Sequence, residues 1–213
     1  MNWLTNTLGS SIGKKLLMAS TGFCFMMFLV VHLAGNLTLY GGQALFNSYA
    51  EHLHALGPVV QIAEFGLLLL ALVHVLTGII LFLGNLRARP TRYAVNKRAG
   101  GRTWGSATMP YTGLLLLFFV ILHLLNFHFI DKSQTTIYAI VAATFNQAWY
   151  VCIYVAAMIV AALHVRHGFW SAFQTVGANH PKYMPIIWGA GIAISLILGI
   201  GFGFIPIYVA IMV

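Results

Sequence analysis

The sequence predicts an all-α membrane protein with five transmembrane helices, the N-terminus inside and the C-terminus outside. Three observations carry this. Of 213 residues, 60% are hydrophobic and only 7% are charged, against about 25% charged in a soluble domain. The apolar residues gather in five runs, each long enough to cross about 30 Å of hydrocarbon. The basic residues fall almost entirely on one side of those runs. The net charge of +8 would suggest nucleic acid if it lay on one soluble face. Here it sits in short segments between apolar runs, where it sets topology.

The expected spans are 14–39, 59–86, 109–130, 147–173 and 186–212, in one transmembrane domain covering 1–213. Residues before Lys14 are small and polar, and read as a short interfacial helix. The first run follows Lys14 and Lys15 and is too long for the core of a secretory signal, so it is read as a retained span. Gly41-Gly42 ends it, and 43–58 reads as a loop before the helix start at Pro58. The segment from Arg87 to Thr108 is the most basic and reads as a loop, with Pro110 opening the third span. The apolar stretch from Ile137 to Phe145 reads as partly helical at the interface. The fifth span holds no histidine and no charge. Gly199 and Gly203 stand there at a G-x-x-x-G spacing, which suits a packing or lipid-side helix. No internal repeat is evident.

With the N-terminus inside, ten of the eleven basic residues lie on the inner side: Lys14, Lys15, Arg87, Arg89, Arg92, Lys97, Arg98, Arg102, Arg166 and Lys182. Only Lys132 is outside. This is a strong positive-inside signal, and it requires an odd number of spans.

Each of the first four spans contains a histidine at depth: His32, His74, His123 and His164, separated by 42, 49 and 41 residues. An ionisable side chain within a span is costly and points to function. Imidazole is the usual protein ligand of haem iron, and two complete the axial positions of a b-type haem. Four would hold two haems. His32 and His123 lie about seven residues from the outer ends of their spans, roughly 10 Å deep. His74 and His164 lie nearer the inner side. The expected pairs are therefore His32 with His123 (outer haem) and His74 with His164 (inner haem). Small residues flank the ligands: Ala157, Ala161 and Gly168 near His164, Ala71, Thr77 and Gly78 near His74, and Gly35 and Asn36 after His32. They leave room for a flat macrocycle, or simply let helices pack closely.

Cys24 and Cys152 lie far apart in apolar runs without C-x-x-C-H, which excludes a covalent c-type attachment motif. His128 is an alternative to His123 but points about 140° away. Arg166 and His167 suit haem propionates or a partner interface, and Arg166 equally serves topology alone. Glu64 is the one carboxylate within a span. It is either a residue snorkelling to the interface or a proton donor and acceptor beside a quinone, with Glu51 leading to the outer water. His52, His54 and His180 fall in loops.

This pattern resembles the dihaem cytochrome b membrane anchor of succinate:quinone oxidoreductases, the fumarate reductases and succinate dehydrogenases, in its five-helix form. The resemblance covers nearly the whole chain. Its carriers are Val31-His32-Leu33-Ala34-Gly35-Asn36, His74, His123 and Leu163-His164-Val165-Arg166-His167-Gly168-Phe169-Trp170-Ser171. It implies two haem b groups ligated I-to-III and II-to-IV, and a bacterial cytoplasmic (inner) membrane location. It also implies an iron–sulphur subunit and an FAD-containing flavoprotein subunit on the cytoplasmic side. Electrons then pass between the iron–sulphur clusters and a quinone, usually menaquinone, near the outer haem; dicarboxylate chemistry belongs to the flavoprotein. Some members carry a further glutamate in span IV for protons. This span has neither Glu nor Asp, so that route is not carried over. Two other readings fit parts of the pattern: the cytochrome b of a membrane hydrogenase or formate dehydrogenase, and a histidine-based metal or proton transporter.

Overall fold

The computed structural model describes residues 2–88 and 103–213. Among these there is no strand, and eight α-helices account for most of the chain: α1 Trp3–Gly9, α2 Ser11–Asn36, α3 Gln43–Ala55, α4 Pro58–Arg87, α5 Trp104–Phe127, α6 Ile137–Phe145, α7 Ala148–Thr175 and α8 Met184–Met212. Five of them are long and apolar enough to cross a membrane: α2 with the 3-10 turn that continues it to Gly41, then α4, α5, α7 and α8. Their outward faces are lined by exposed large apolar residues such as Ile62, Phe65, Leu69, Phe118 and Ile197. Those side chains suit lipid and not water.

Local chemistry explains the helix ends. Ser10 accepts from the Gly13 backbone N–H at 3.0 Å and starts α2. The 3-10 turn Leu37–Gly41 ends at Gly42, whose φ of 86° is open to glycine and disfavoured for other residues. Gly57, at φ 52°, gives the tight turn from α3 into α4.

Three expected boundaries are corrected. Residues 43–55, expected as loop, form α3. Phe46, Tyr49 and Leu53 recur at helical spacing, and Phe46 is buried. The third span begins earlier than 109, because Thr103 and Ser106 form a reciprocal capping box. Pro110 therefore sits inside α5 instead of opening it, and its missing N–H leaves the fourth preceding carbonyl without its helical donor. The same helix stops at Phe127, short of 130, and the following turn is built by Asp131. Asp131 accepts from the backbone N–H and hydroxyl of Ser133 at 2.9 and 3.0 Å, which hold its carboxyl below the usual carboxylate range. The segments expected as interfacial helices are helical, as α1 and α6. Arg89, Arg92, Lys97, Arg98 and Arg102 lie outside the described residues.

The main packing contacts run α2–α4, α2–α7, α5–α7 and α7–α8. Consecutive long helices run antiparallel, so the start of α2, the end of α4, the start of α5 and the end of α7 share one end. That end carries Lys14, Lys15, Arg87 and Arg166 and is called the basic end below. Phe23 of α2 closes it against Phe169 and Phe173 of α7, with ring centroids 6.1 and 5.3 Å away. At the far end α3 and α6 lie against each other. Asn47 of α3 accepts from the Tyr138 backbone N–H of α6 at 3.1 Å. Most of the dry core sits there, around Leu39, Phe46, Val141, Phe145, Tyr154, Ile205 and Val209.

α8 is more than a peripheral helix. A Cβ at Gly199 would lie 2.8 Å from Ala162 Cβ of α7, and one at Gly201 would lie 2.8 Å from Leu33 Cδ2 of α2. The two backbones approach as closely as small residues permit. Gly199→Leu is expected to force α8 away from α7 and to cost about 1–3 kcal/mol. A lower unfolding midpoint in detergent, followed by circular dichroism, checks this.

Candidate functional site

The four deep histidines converge in two pairs. His32 of α2 and His123 of α5 have ring centroids 5.9 Å apart. His74 of α4 and His164 of α7 are 6.5 Å apart. Each pair joins helices that are diagonal in the bundle, since the close backbone contacts run along its sides. The two pairs stand at different levels, and the register of α2 gives the spacing. Thr21 of α2 touches His74, while His32 lies eleven residues further along, or about 16 Å at 1.5 Å per residue.

The pair nearer the basic end is held by two hydroxyls. Thr21 Oγ1 is 2.8 Å from His74 Nδ1, and Thr112 Oγ1 is 3.0 Å from His164 Nδ1. Thr21 and Thr112 are buried, at 5% and 8% exposure. Thr112 is the one buried residue of α5. A polar side chain in that position calls for a specific partner. Beside them, Gly22 and Gly113 lie at the imidazole edges. A Cβ on either would stand in ordinary contact, 3.7 Å from His74 Cε1 and 3.5 Å from His164 Cε1.

The far pair is enclosed by aromatic rings instead. Phe28 stacks on His32 at 5.1 Å, and Phe202 of α8 lies 5.6 Å from it. Phe127, Phe119 and Tyr154 surround His123 at 5.3, 6.0 and 6.1 Å. Tyr154 is held in place by Asn126, whose amide donates to its hydroxyl at 3.0 Å. Asn36 donates to the His32 carbonyl at 2.9 Å; its 3.5 Å approach to His32 Nε2 is marginal.

The spacing of these residues fits a ligand set for a b-type haem. Two imidazoles sharing one metal, with metal–nitrogen bonds of about 2.0 Å, would have ring centroids roughly 6 Å apart, which is close to the separation of both pairs. His123 Nδ1 is a buried atom with no hydrogen-bond partner among the described residues.

The other expected residues fall outside these pairs. His128 caps the end of α5, five residues past His123. It points at Glu64 of α4, with Nδ1 to Oε1 at 3.7 Å and exposures of 43% and 48%. That contact is too open to count for much in stability. It does place the carboxylate of Glu64 and an imidazole together at the far rim. Arg166 is exposed near the basic end. His167 packs edge-on to Trp170 at 5.1 Å and backs onto Gly105, where a Cβ would come within 2.7 Å of its Nδ1. Glu51 is exposed on α3. Cys24 and Cys152 are free and exposed.

Thr21 and Thr112 are functional candidates that the reading of the sequence passed over, and a signal for them was there. Thr21-Gly22 and Thr112-Gly113 each precede a deep histidine by eleven residues, a T-G-x9-H pattern shared by α2 and α5. Eleven residues turn a helix by about 1100°, within about 20° of three full turns, so threonine and histidine share one face. The two helices thus share one spacing of threonine, glycine and histidine. No family model, curated protein or solved structure matches the chain.

Tyr154→Phe removes the acceptor of Asn126 at the edge of the far pair. It is expected to cost about 1 kcal/mol and to lower the unfolding midpoint in detergent; an unchanged midpoint would show that the bond contributes nothing.

Proposed function

We propose that the chain is the dihaem b membrane anchor of a fumarate reductase or succinate dehydrogenase. In this reading it passes electrons between an iron–sulphur subunit at the basic, cytoplasmic side and membrane menaquinone near the far pair. An FAD-containing flavoprotein subunit beyond the iron–sulphur subunit carries the dicarboxylate chemistry. The chain is placed in a bacterial inner membrane. The observation that carries the reading is the two-level set of facing histidines, His74–His164 and His32–His123, across both diagonals of a five-span bundle.

His74 and His164 would hold one haem, and His32 and His123 the other. A bound b haem supplies a one-electron iron couple within the bilayer. The chain's own residues do the rest. Thr21 and Thr112 orient the imidazoles of one pair, and the Phe28, Phe119, Phe127 and Phe202 rings exclude water from the other. Lys14, Lys15 and Arg166 give the basic end a positive surface suited to propionates or to an acidic face of the soluble subunits. At the far rim, Glu64 holds a carboxylate at membrane depth beside His128. Quinone reduction takes up two protons with two electrons, and Glu64 is the group placed to deliver or accept them, with His128 as its neighbour.

A reduced-minus-oxidised spectrum of the purified protein is expected to show two b-type haems per chain, and a colourless protein would sink the reading. His74→Ala or His164→Ala should remove one haem and spare that of His32 and His123. Loss of the latter alone would refute the pairing.

Glu64→Gln is expected to slow quinone turnover on the order of 10²-fold while both haems stay bound. Quinol-linked activity of the complex, normalised to haem, checks this. Full activity would make Glu64 an interfacial carboxylate.

A further inference from the structure

We propose that Thr21 and Thr112 are positioning residues for the haem of His74 and His164. Each accepts a hydrogen bond from its ligand's Nδ1–H, and so keeps the lone pair on Nε2 and raises the basicity of the nitrogen offered to iron. The inference rests on the haem reading above and extends it to side chains that do not touch the metal.

The direction assigned to these two bonds rests on the single proton of each hydroxyl, and the short Thr21–Leu17 contact is its firmest support. A threonine hydroxyl has one hydrogen to donate. Thr21 has a strong acceptor for it in the Leu17 carbonyl at 2.7 Å, with Met18 O at 3.3 Å. Thr112 lies 3.2 Å from Thr108 O and 3.1 Å from Met109 O. With that hydrogen committed to the helix backbone, the oxygen faces the imidazole as an acceptor. Nδ1 must then carry the proton, and Nε2 is left unprotonated. The opposite arrangement, hydroxyl donating to Nδ1, would put the proton on Nε2 and block it as a ligand. Metal-binding histidines commonly donate their second N–H to an oxygen, and this raises ligand basicity. Here the same device occurs twice, from two different helices onto two different helices.

The geometry is repeated as well as the chemistry. Thr21 meets His74 and Thr112 meets His164 at nearly equal distances. In both cases the next residue is a glycine beside the ring edge. Eleven residues on, the same face of the same helix presents His32 or His123. Among the described residues no such hydroxyl meets the far pair, and His123 Nδ1 is buried and unpartnered. The two sites are therefore built differently, and the threonines should act on one only.

The test compares the full complex carrying Thr21→Val, Thr112→Val, Thr21→Ser or Thr112→Ser with the parent in optically monitored redox titrations. Valine keeps the shape and removes the acceptor; serine keeps the acceptor. A less basic ligand favours ferrous iron. Each valine variant is therefore expected to move the midpoint of the His74–His164 haem to more positive potential, and the serine variants should return it. The midpoint of the His32–His123 haem should not move. An unmoved potential at full haem content would overturn the inference, as would equal shifts of both haems or a serine variant that behaves like valine. Should the valine chains fail to assemble, magnetic resonance of the parent with 15N-labelled histidine decides. Two exchangeable, strongly bonded Nδ1–H groups are expected on the His74–His164 haem, and their absence overturns the inference. A parent without haem would instead remove the functional reading on which the inference rests.

Discussion

The constraint on which this structure depends is that an imidazole inside a bundle of apolar helices is costly unless its nitrogens find partners within. An unpaired polar atom in hydrocarbon costs several kcal/mol in round terms. Four histidines at two levels would be a heavy burden if each stood alone. The fold answers by turning them toward one another across the diagonals. Buried hydroxyls satisfy one pair, while aromatic rings only enclose the other and leave His123 Nδ1 without a partner. The remaining packing follows from that choice. α2 and α7 lie against each other in the middle, α4 and α5 flank them, and α8 seals α7 from behind through Gly199 and Gly203.

The ends of the bundle are made differently from its middle. Among the described residues the densest apolar packing is at the far end, where α3 and α6 cover the helix termini with Phe46, Val141 and Phe145. The helices α4 and α5 have one buried residue each, Thr77 and Thr112. Their apolar side chains mostly face outward, as those of membrane helices do. The side chains between the diagonals are largely histidine, threonine, glycine and aromatic.

The spans were legible because lipid imposes a simple rule, an apolar run of sufficient length, which His32, His74, His123 and His164 barely interrupt. What the rule does not encode was harder to read. α3 looked like a loop because Glu51, His52 and His54 mask the Phe46, Tyr49, Leu53 period. The start of α5 was obscured by Pro110, which outweighed the weaker but decisive Thr103–Ser106 capping box. The depth of each histidine followed from counting residues. The partners of their second nitrogens did not, because a threonine in a transmembrane run usually bonds only its own backbone. Thr21 and Thr112 do that too, and the contact to a second helix appears only once the helices are assembled.

The eleven-residue step from threonine to histidine has a consequence for how such a bundle tolerates change. An α-helix is stiff along its axis, so about 16 Å of rise between Thr21 and His32, and again between Thr112 and His123, is set within single helices and not by any loop. The intervals between successive histidines differ, at 42, 49 and 41 residues. The longest interval is set within the helices: His74 stands far from the end of α4 and His123 far from the start of α5, whereas His123 stands close to the end of α5. An insertion of a single residue between Thr21 and His32 would rotate one against the other by about 100° and take one of them off the shared face. The pairing of the histidines is therefore most sensitive to length in the places where the sequence has least composition to mark it, the apolar stretches from Gly22 to Val31 and from Gly113 to Leu122.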